Sequence, residues 1–382
     1  MAYELDPSGQ IKAIGRMSYF SFPALTERPG FGFYGTTPSG GAFNDGTIFR
    51  VTSSGVFHNN KIGRPPYSFD GTHGEAPYAS LVLGNDGNFY GTTVYGGVDV
   101  GLGTGGVAFK VTPGGVLKVL HDFNSPADRG WSPFAGLIQA SDGNFYGVTF
   151  SGGAGHGNQG VAYKLTPNGV YSQLYYFDGM HGGNPGPPPI QHSNGKIYGI
   201  ANYGGAYNGG VFYSLDLGLS PCVRLVRAGV LVGQTMGVLG QGLVGTTSVY
   251  FDNVQANFTV VSDTYLTAIV PAGAVSGPGR GFVVISTPSG KLVSNEKFIV
   301  QPVISGFSPN SGPVGTQVVV TGSGLTGLHS VTFDGVRASF VLNSDSQLTA
   351  TVPTSAKTGK IIATAAAGTA KGTSSTSFTV TP

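Results

Sequence analysis

Phe33-Tyr34-Gly35-Thr36-Thr37 returns as Phe89-Tyr90-Gly91-Thr92-Thr93, again as Phe145-Tyr146-Gly147-Val148-Thr149, and in decayed form as Ile197-Tyr198-Gly199-Ile200-Ala201. The four tyrosines are spaced 56, 56 and 52 residues apart. A second block keeps the same interval: Thr47-Ile48-Phe49-Arg50-Val51-Thr52, Val107-Ala108-Phe109-Lys110-Val111-Thr112, Val161-Ala162-Tyr163-Lys164-Leu165-Thr166 and Val211-Phe212-Tyr213-Ser214-Leu215. Self-similarity at a fixed period marks a repeat architecture. Within one unit, four strands are expected at 79–83, 89–94, 107–112 and 116–123, joined by Asn85-Asp86-Gly87-Asn88, a long Gly-rich loop, and Pro113-Gly114-Gly115. Asp-Gly and Gly-Gly between apolar runs make hairpin turns because they tolerate positive φ. Tandem four-stranded units of this length predict an all-β, propeller-like array. Ala2-Tyr3-Glu4-Leu5-Asp6-Pro7-Ser8-Gly9 matches Ala162-Tyr163-Lys164-Leu165-Thr166-Pro167-Asn168-Gly169, a leading half unit, so about four to five blades are expected.

An antiparallel meander puts its first and third connections at one end and everything else at the other. Here the short, repeated turns share one end. The variable segments 38–46, 95–106, 150–160, 203–210, 70–78, 124–134 and 178–189 share the other. A face that varies on a repeated scaffold is where function is expected.

Composition supports this reading. The chain has 65 glycines without a Gly-x-y period, which excludes collagen, and 18 tyrosines with 24 phenylalanines, which excludes a disordered chain. The best helical candidate, Thr364-Ala365-Ala366-Ala367, is broken at Gly368. Net charge is +2 with no basic block, against a nucleic-acid partner or a basic membrane-surface helix, and no segment suits a membrane span. Cys222 is the only cysteine, so no disulfide framework and no thiolate metal site is expected. The stretch Ala2-Tyr3-Glu4-Leu5-Asp6-Pro7 lacks the apolar core of a signal peptide; if the protein is exported, this chain is a mature form or a fragment.

After Leu219 the pattern changes. Leu239-Gly240-Gln241-Gly242-Leu243 answers Val320-Thr321-Gly322-Ser323-Gly324-Leu325, Val249-Tyr250-Phe251-Asp252 answers Val331-Thr332-Phe333-Asp334, and Leu266-Thr267-Ala268-Ile269-Val270-Pro271 answers Leu348-Thr349-Ala350-Thr351-Val352-Pro353. Two Ig-like sandwiches are expected, giving domains at 1–220, 221–301 and 302–382. Ser308-Pro309-Asn310-Ser311-Gly312-Pro313-Val314-Gly315, with the Gly324-Leu325 and Phe333-Asp334-Gly335 segments, resembles an IPT/TIG domain; 222–300 resembles a second with a weaker opening. The Tyr-Gly-Thr-Thr units resemble GloVer-type tandem repeats of environmental bacteria. That resemblance implies a secreted or surface-anchored protein and transfers no activity. Some TIG domains contact DNA, but Arg337, Lys357, Lys360 and Lys371 are too sparse for that here.

Three connections echo one another: Phe69-Asp70-Gly71-Thr72-His73-Gly74-Glu75, Phe123 through Asp128-Arg129-Gly130-Trp131, and Phe177-Asp178-Gly179-Met180-His181-Gly182. Read functionally, Asp70, His73, Glu75, Asp128, Arg129, Asp178 and His181 surround one mouth, where carboxylates suit glycosidic chemistry and Asp with His suits a metal. Read structurally, each Asp-Gly opens a turn whose carboxylate caps nearby N–H groups, which the repetition favours. Trp131, Tyr95, Tyr203 and Tyr207, with Arg129, are the candidate ligand contacts, since exposed flat rings stack on sugars. The Asn-Asp-Gly-Asn turns resemble calcium loops only superficially and lack the further spaced oxygen ligands; structural calcium is weakly supported and no other cofactor is expected. The expected function is a secreted or cell-surface bacterial binding or adhesion protein. It would recognise a polysaccharide or a cell-surface protein through the long-loop face. The alternative is a carbohydrate-active enzyme, a glycoside hydrolase or lyase, using acids of that same face.

Overall fold

The computed structural model describes residues 24–28, 32–51, 67–98, 105–123, 130–153, 157–277, 280–365 and 370–382, and the backbone of a hairpin pairing Ala2–Leu5 with Ile11–Gly15. Every regular element among them is a strand. Contacts divide the chain into two bodies, Met1–Glu27 with Gly32–Ser220, and Arg28–Phe31 with Pro221–Pro382.

In the first body, Val82–Leu83, Phe89–Thr92, Val107–Val111 and Leu117–Asp122 form an antiparallel sheet in sequence order. The strands Ile138–Gln139, Phe145–Thr149, Val161–Leu165 and Tyr171–Tyr176 repeat it. Thr26–Arg28, Gly32–Thr37, Thr47–Val51 and Tyr67–Ser68 make an earlier copy. A fourth unit joins Ile190–Gln191, Ile197–Tyr203 and Val211–Leu215. An antiparallel meander in sequence order is therefore the repeating element, as the turn chemistry requires.

The pleat explains the repeated motif. Successive residues of a strand face opposite sides, so Phe and Tyr of Phe-Tyr-Gly point at different neighbours. Tyr34 packs on Phe89 of the next unit with ring centroids 4.2 Å apart, and Tyr90 stacks on Phe145 at 3.9 Å. All four rings are buried. Burying each is worth roughly 2–3 kcal/mol, with about 1 kcal/mol more from the ring pair. The glycine that follows is a close approach. Gly91 pairs with Phe109 across the sheet, and a Cβ there would lie 2.6 Å from the Phe109 ring. Gly35 under Phe49 and Gly147 under Tyr163 repeat the arrangement. The first threonine ties one unit to the next: Thr36 Oγ1 donates to the Ala79 carbonyl at 3.0 Å and Thr92 Oγ1 to the Ala135 carbonyl at 2.9 Å. The second threonine steadies the following loop, as when Thr93 Oγ1 donates to Tyr95 O at 2.9 Å.

The second strand ends at Thr92 instead of residue 94, and the first departs most from expectation, covering Val82–Leu83 instead of 79–83. Residues just before it direct their backbone groups to the preceding unit: the Ala76 N–H donates to Asp45 O, and the Ala79 carbonyl accepts from Thr36.

The second body holds two separate apolar cores, one of residues between Val223 and Val300, the other between Ile304 and Phe378. Their registers correspond. Thr235 pairs with Ile269 as Gln317 pairs with Thr351, and Phe251 meets Phe298 at 5.1 Å as Phe333 meets Phe378 at 5.2 Å. Asp263 accepts from the N–H groups of Gly242 and Val244, and Asp345 from those of Gly324 and Thr326, which accounts for the repeated Gly-Leu corner. Each is an Ig-like sandwich. Cys222 is buried, which pushes its thiol up to about 11, in keeping with a small apolar filler. The Ala-rich stretch judged the best helical candidate begins in a strand, Gly359–Ala365.

Candidate functional site

The two ends of the repeats are built differently. At the turn end, Asp86 accepts hydrogen bonds from the Tyr90 hydroxyl at 2.9 Å and from Asn88, and pairs with Lys110 at 2.7 Å. Asp142 does the same with Tyr146, Asn144 and Lys164. Burial works to raise the Asp86 carboxyl, but Lys110, Asn88 and Tyr90 outweigh it and hold it below the usual carboxylate range. Burial and the adjacent carboxylate push the Tyr90 phenol well up. The Asn-Asp-Gly-Asn turn is accounted for by this internal network.

At the loop end, the connection entering each unit pairs with the loop that leaves its second strand. The Glu75 N–H donates to Tyr95 O at 2.8 Å, and the Tyr95 N–H to Glu75 O at 3.1 Å. One unit on, Trp131 is the ladder partner of Ser151; in the next, Gly183 is the partner of Tyr203. The rung is the same each time, and each rung carries one aromatic ring: Tyr95, then Trp131, then Tyr203. Paired residues share a side of the ladder, so these rings arise at equivalent places in three consecutive units. Tyr95 and Tyr203 are exposed, and Trp131 is half-buried.

The backbone under this row is strained in a repeated way. Ala76, Ser132 and Asn184, each next to a rung residue and followed by proline, have φ of 56°, 57° and 51°. Left-handed backbone costs about 1 kcal/mol for a residue with a Cβ. Each N–H is held by the preceding unit's loop: Ala76 by Asp45 O, Ser132 by Gly105 O, Asn184 by Gln159 O. The long loops themselves are closed at glycine pairs, as where the Gly106 N–H donates to Gly96 O and the Gly160 N–H to Gly152 O.

The acidic candidates occupy a local role. Asp70 accepts from the His73 N–H at 2.8 Å and meets His73 Nδ1 at 2.8 Å. Asp178 meets the His181 N–H and Nδ1, both at 2.7 Å. Partial burial works to raise the Asp70 carboxyl, yet the backbone and ring of His73 keep it below the usual range; His181 lowers Asp178 through its ring, then its backbone. The two clips lie in separate connections, and the exposed Glu75 lies beyond the first. Asp128 and Arg129 lie outside the described residues. Tyr207 is almost wholly exposed in the fourth unit's loop.

Sequence reading missed one feature. Tyr78 and Phe134, equivalent residues one unit apart, face each other with centroids 5.7 Å apart, and Phe134 meets Phe150 at 5.6 Å. Both Tyr78 and Phe134 remain partly open to solvent. The repeated Pro77-Tyr78 and Pro133-Phe134 dipeptides were the available signal.

Among the described residues, no helix is long and apolar enough to cross a membrane. No curated protein matches the chain. Among solved structures, it is similar to a surface glycan-binding protein of Prevotella bryantii at 14% identity, covering 41% of this chain and 41% of that one, with a TM-score of 0.29. A surface glycan-binding protein from a xyloglucan utilization locus of Bacteroides uniformis matches at 19% identity over 41% of this chain and 48% of that one, TM-score 0.20. Another, of a mixed-linkage glucan locus of Bacteroides ovatus, matches at 15% over 60% and 48%, TM-score 0.18. The chain spans less than half the length of each, and likeness this distant says nothing of ligand. Family models are more direct: the Gloeobacter/Verrucomicrobia repeat matches residues 24–221 and the IPT/TIG domain residues 302–380. The phenylalanine–tyrosine stacking, the ring-covered glycines and the paired sandwiches thus belong to a member of the Gloeobacter/Verrucomicrobia repeat family that carries an IPT/TIG domain.

Proposed function

We propose that this is a carbohydrate-binding protein of the cell surface or secreted space, and that the loop end of its repeats holds a polysaccharide. The observation that carries this reading is the register of the aromatic row. Tyr95 and Tyr203 share one position of the repeat and Trp131 comes from another, yet each sits on the same backbone rung of its unit. Rings offered at regular intervals suit a ligand that is itself a repeat, and a sugar's apolar face stacks on an aromatic plane. Tyr207 is assigned to the same surface. So is the Tyr78–Phe134 pair. The Ig-like domains act as a spacer that carries the repeats outward.

Asp70 and Asp178 favour binding over hydrolysis, because each carboxylate is engaged by its own histidine in the same way in two units. Glycosidic acid–base catalysis needs two carboxyls in one privileged arrangement. The test is a neutral and charged polysaccharide panel scored for retention in affinity electrophoresis and for new reducing or unsaturated ends. Retention without product is expected, and Trp131→Ala should weaken it by on the order of tenfold. Product release, or retention indifferent to the loss of Trp131, Tyr95 and Tyr203 together, would sink the reading.

A further inference from the structure

Charge divides the two ends of the repeats as sharply as sequence variation does. In the four units, every described lysine and arginine lies at the turn end. Arg50, Lys110 and Lys164 are the ladder partners of Tyr34, Tyr90 and Tyr146, and Lys118 is the partner of Lys110. Arg28 ends a first strand, and Lys196 lies in the turn closed by the His192 N–H and its own carbonyl. Three of these lysines are matched there by acids: Lys110 by Asp86 at 2.7 Å, Lys164 by Asp142 at 3.6 Å and Lys196 by Asp216 at 3.1 Å.

The loop end is the reverse. Its segments 38–46, 70–78, 95–106, 124–134, 150–160, 178–189 and 203–210 hold Asp45, Asp70, Glu75, Asp99, Asp128 and Asp178 against one arginine, Arg129, and no lysine. Asp99, Asp128 and Arg129 lie outside the described residues and enter by composition alone. Asp122 adds to the excess, since it ends its strand opposite Val107 and accepts from the Val98 N–H at 2.6 Å. Asp70 and Asp178 stay below the usual carboxylate range, and Glu75, on the Tyr95 rung, is exposed. A five-residue strand carries the chain roughly 15 Å. That exceeds the screening length of about 10 Å at 0.1 M salt, so the turn-end cations do not offset the loop-end acids.

Resting on the carbohydrate-binding reading above, we propose that the loop end selects its ligand by charge, holding a polysaccharide without acidic groups and refusing polyuronates and sulfated polymers. The aromatic row supplies the hold, because stacking on a ring needs no charge on the sugar. The acids supply the refusal: a polyanion laid along Tyr95, Trp131 and Tyr203 would run its own charges past Glu75 and Asp178, and juxtaposed like charges suppress a wrong partner. Net charge points the other way, since the whole chain is +2. The selectivity therefore belongs to one end of the repeats and not to the molecule.

The test is frontal chromatography of the full chain on uncharged polymers of different backbone, namely hydroxyethylcellulose, starch, dextran and galactomannan, and on the carboxymethyl derivative of each. The quantity read is what wild type loses when Tyr95, Trp131 and Tyr203 are together replaced by alanine, which sets aside ion exchange by the rest of the molecule. At about 20 mM salt this row-dependent retention should be about tenfold weaker on a derivative than on its parent, and at about 500 mM the gap should fall to about twofold. Glu75→Lys should narrow the low-salt gap roughly threefold and Glu75→Gln by less, whereas Glu27→Lys, the same charge change at the turn end, should leave it. Equal or stronger retention on the derivatives would overturn the proposal. So would a gap indifferent to salt, which makes bulk the cause, or a response to Glu27→Lys as large as that to Glu75→Lys. Row-dependent retention on none of the polymers sinks the carbohydrate-binding reading itself and this inference with it, an outcome distinct from retention that ignores charge.

Discussion

At the turn end of the repeats, the second and third units use the same side chains: an aspartate, its tyrosine and its lysine, at 86, 90 and 110 and again at 142, 146 and 164. At the loop end, the same two units share only a backbone. The rung that reads Glu75–Tyr95 in one reads Trp131–Ser151 in the next, while the hydrogen bonds beneath are kept. The difference separates two tasks. Side chains at the turn end satisfy one another, so substituting one strands its partners. Side chains on the loop rung face outward from a ladder that main-chain groups already complete.

The comparison can be broken by mutation. The largest effect is expected at neither end but in the stacked interior they share. Phe145→Ala removes the ring on which Tyr90 stacks, and should cost about 3–5 kcal/mol in denaturant unfolding. A loss below 1 kcal/mol would mean the units are not held by this stack.

A smaller effect, dependent on pH, is expected at His121 in the fourth strand of the second unit. Its ring stacks on Tyr171 of the next unit at 4.0 Å, and burial pushes its pKa down to about 4, the nearby Asp122 only partly opposing. Below the ordinary imidazole value of 6.5 the unfolded chain takes up a proton that the folded chain refuses until about pH 4. Stability should therefore fall as pH drops across that window, by on the order of 2–3 kcal/mol from this group. Unfolding of wild type and His121→Phe at several pH values isolates it: the difference between the curves should be constant above about pH 6.5 and shift against wild type as pH falls toward 4. Parallel curves would remove His121 as the cause.

The smallest effects set one end directly against the other. Asp86→Ala should cost about 1–2 kcal/mol, since the Tyr90 hydroxyl and the Lys110 ammonium lose their shared acceptor. Tyr203→Ala should stay within about 0.5 kcal/mol while lowering polysaccharide retention. Equal costs would erase the distinction drawn between the ends.

Much of the scaffold was legible because its chemistry is local and repeated. Phe-Tyr-Gly encodes two neighbours and a close approach within three residues, and Asp-Gly encodes its turn. The short first strand was not legible, because Ala76 and Ala79 bond to residues some 30 to 45 positions earlier in the chain. The aromatic row was legible only as separate residues. Tyr95 follows the second strand of its unit, Tyr203 ends that of its own, and Trp131 precedes a first strand, so nothing in the sequence aligns Trp131 with the two tyrosines until the ladder forms. Asp70 and Asp178 were recognisable as turn formers from the glycine that follows each and from their repetition. The exposed Ile200 and Phe212 of the fourth unit were visible in the sequence only as loss of the repeat pattern.

The exchange of Glu75–Tyr95 for Trp131–Ser151 and Gly183–Tyr203 has an evolutionary consequence. A copied unit inherits a vacancy for a new contact on either of two strands, with folding already secured by atoms that every amino acid other than proline possesses. Such a family can diversify what it holds by point substitution after duplication, one unit at a time. Its recognition surface then behaves less like a single pocket than like a line of type, reset letter by letter while the press stays fixed.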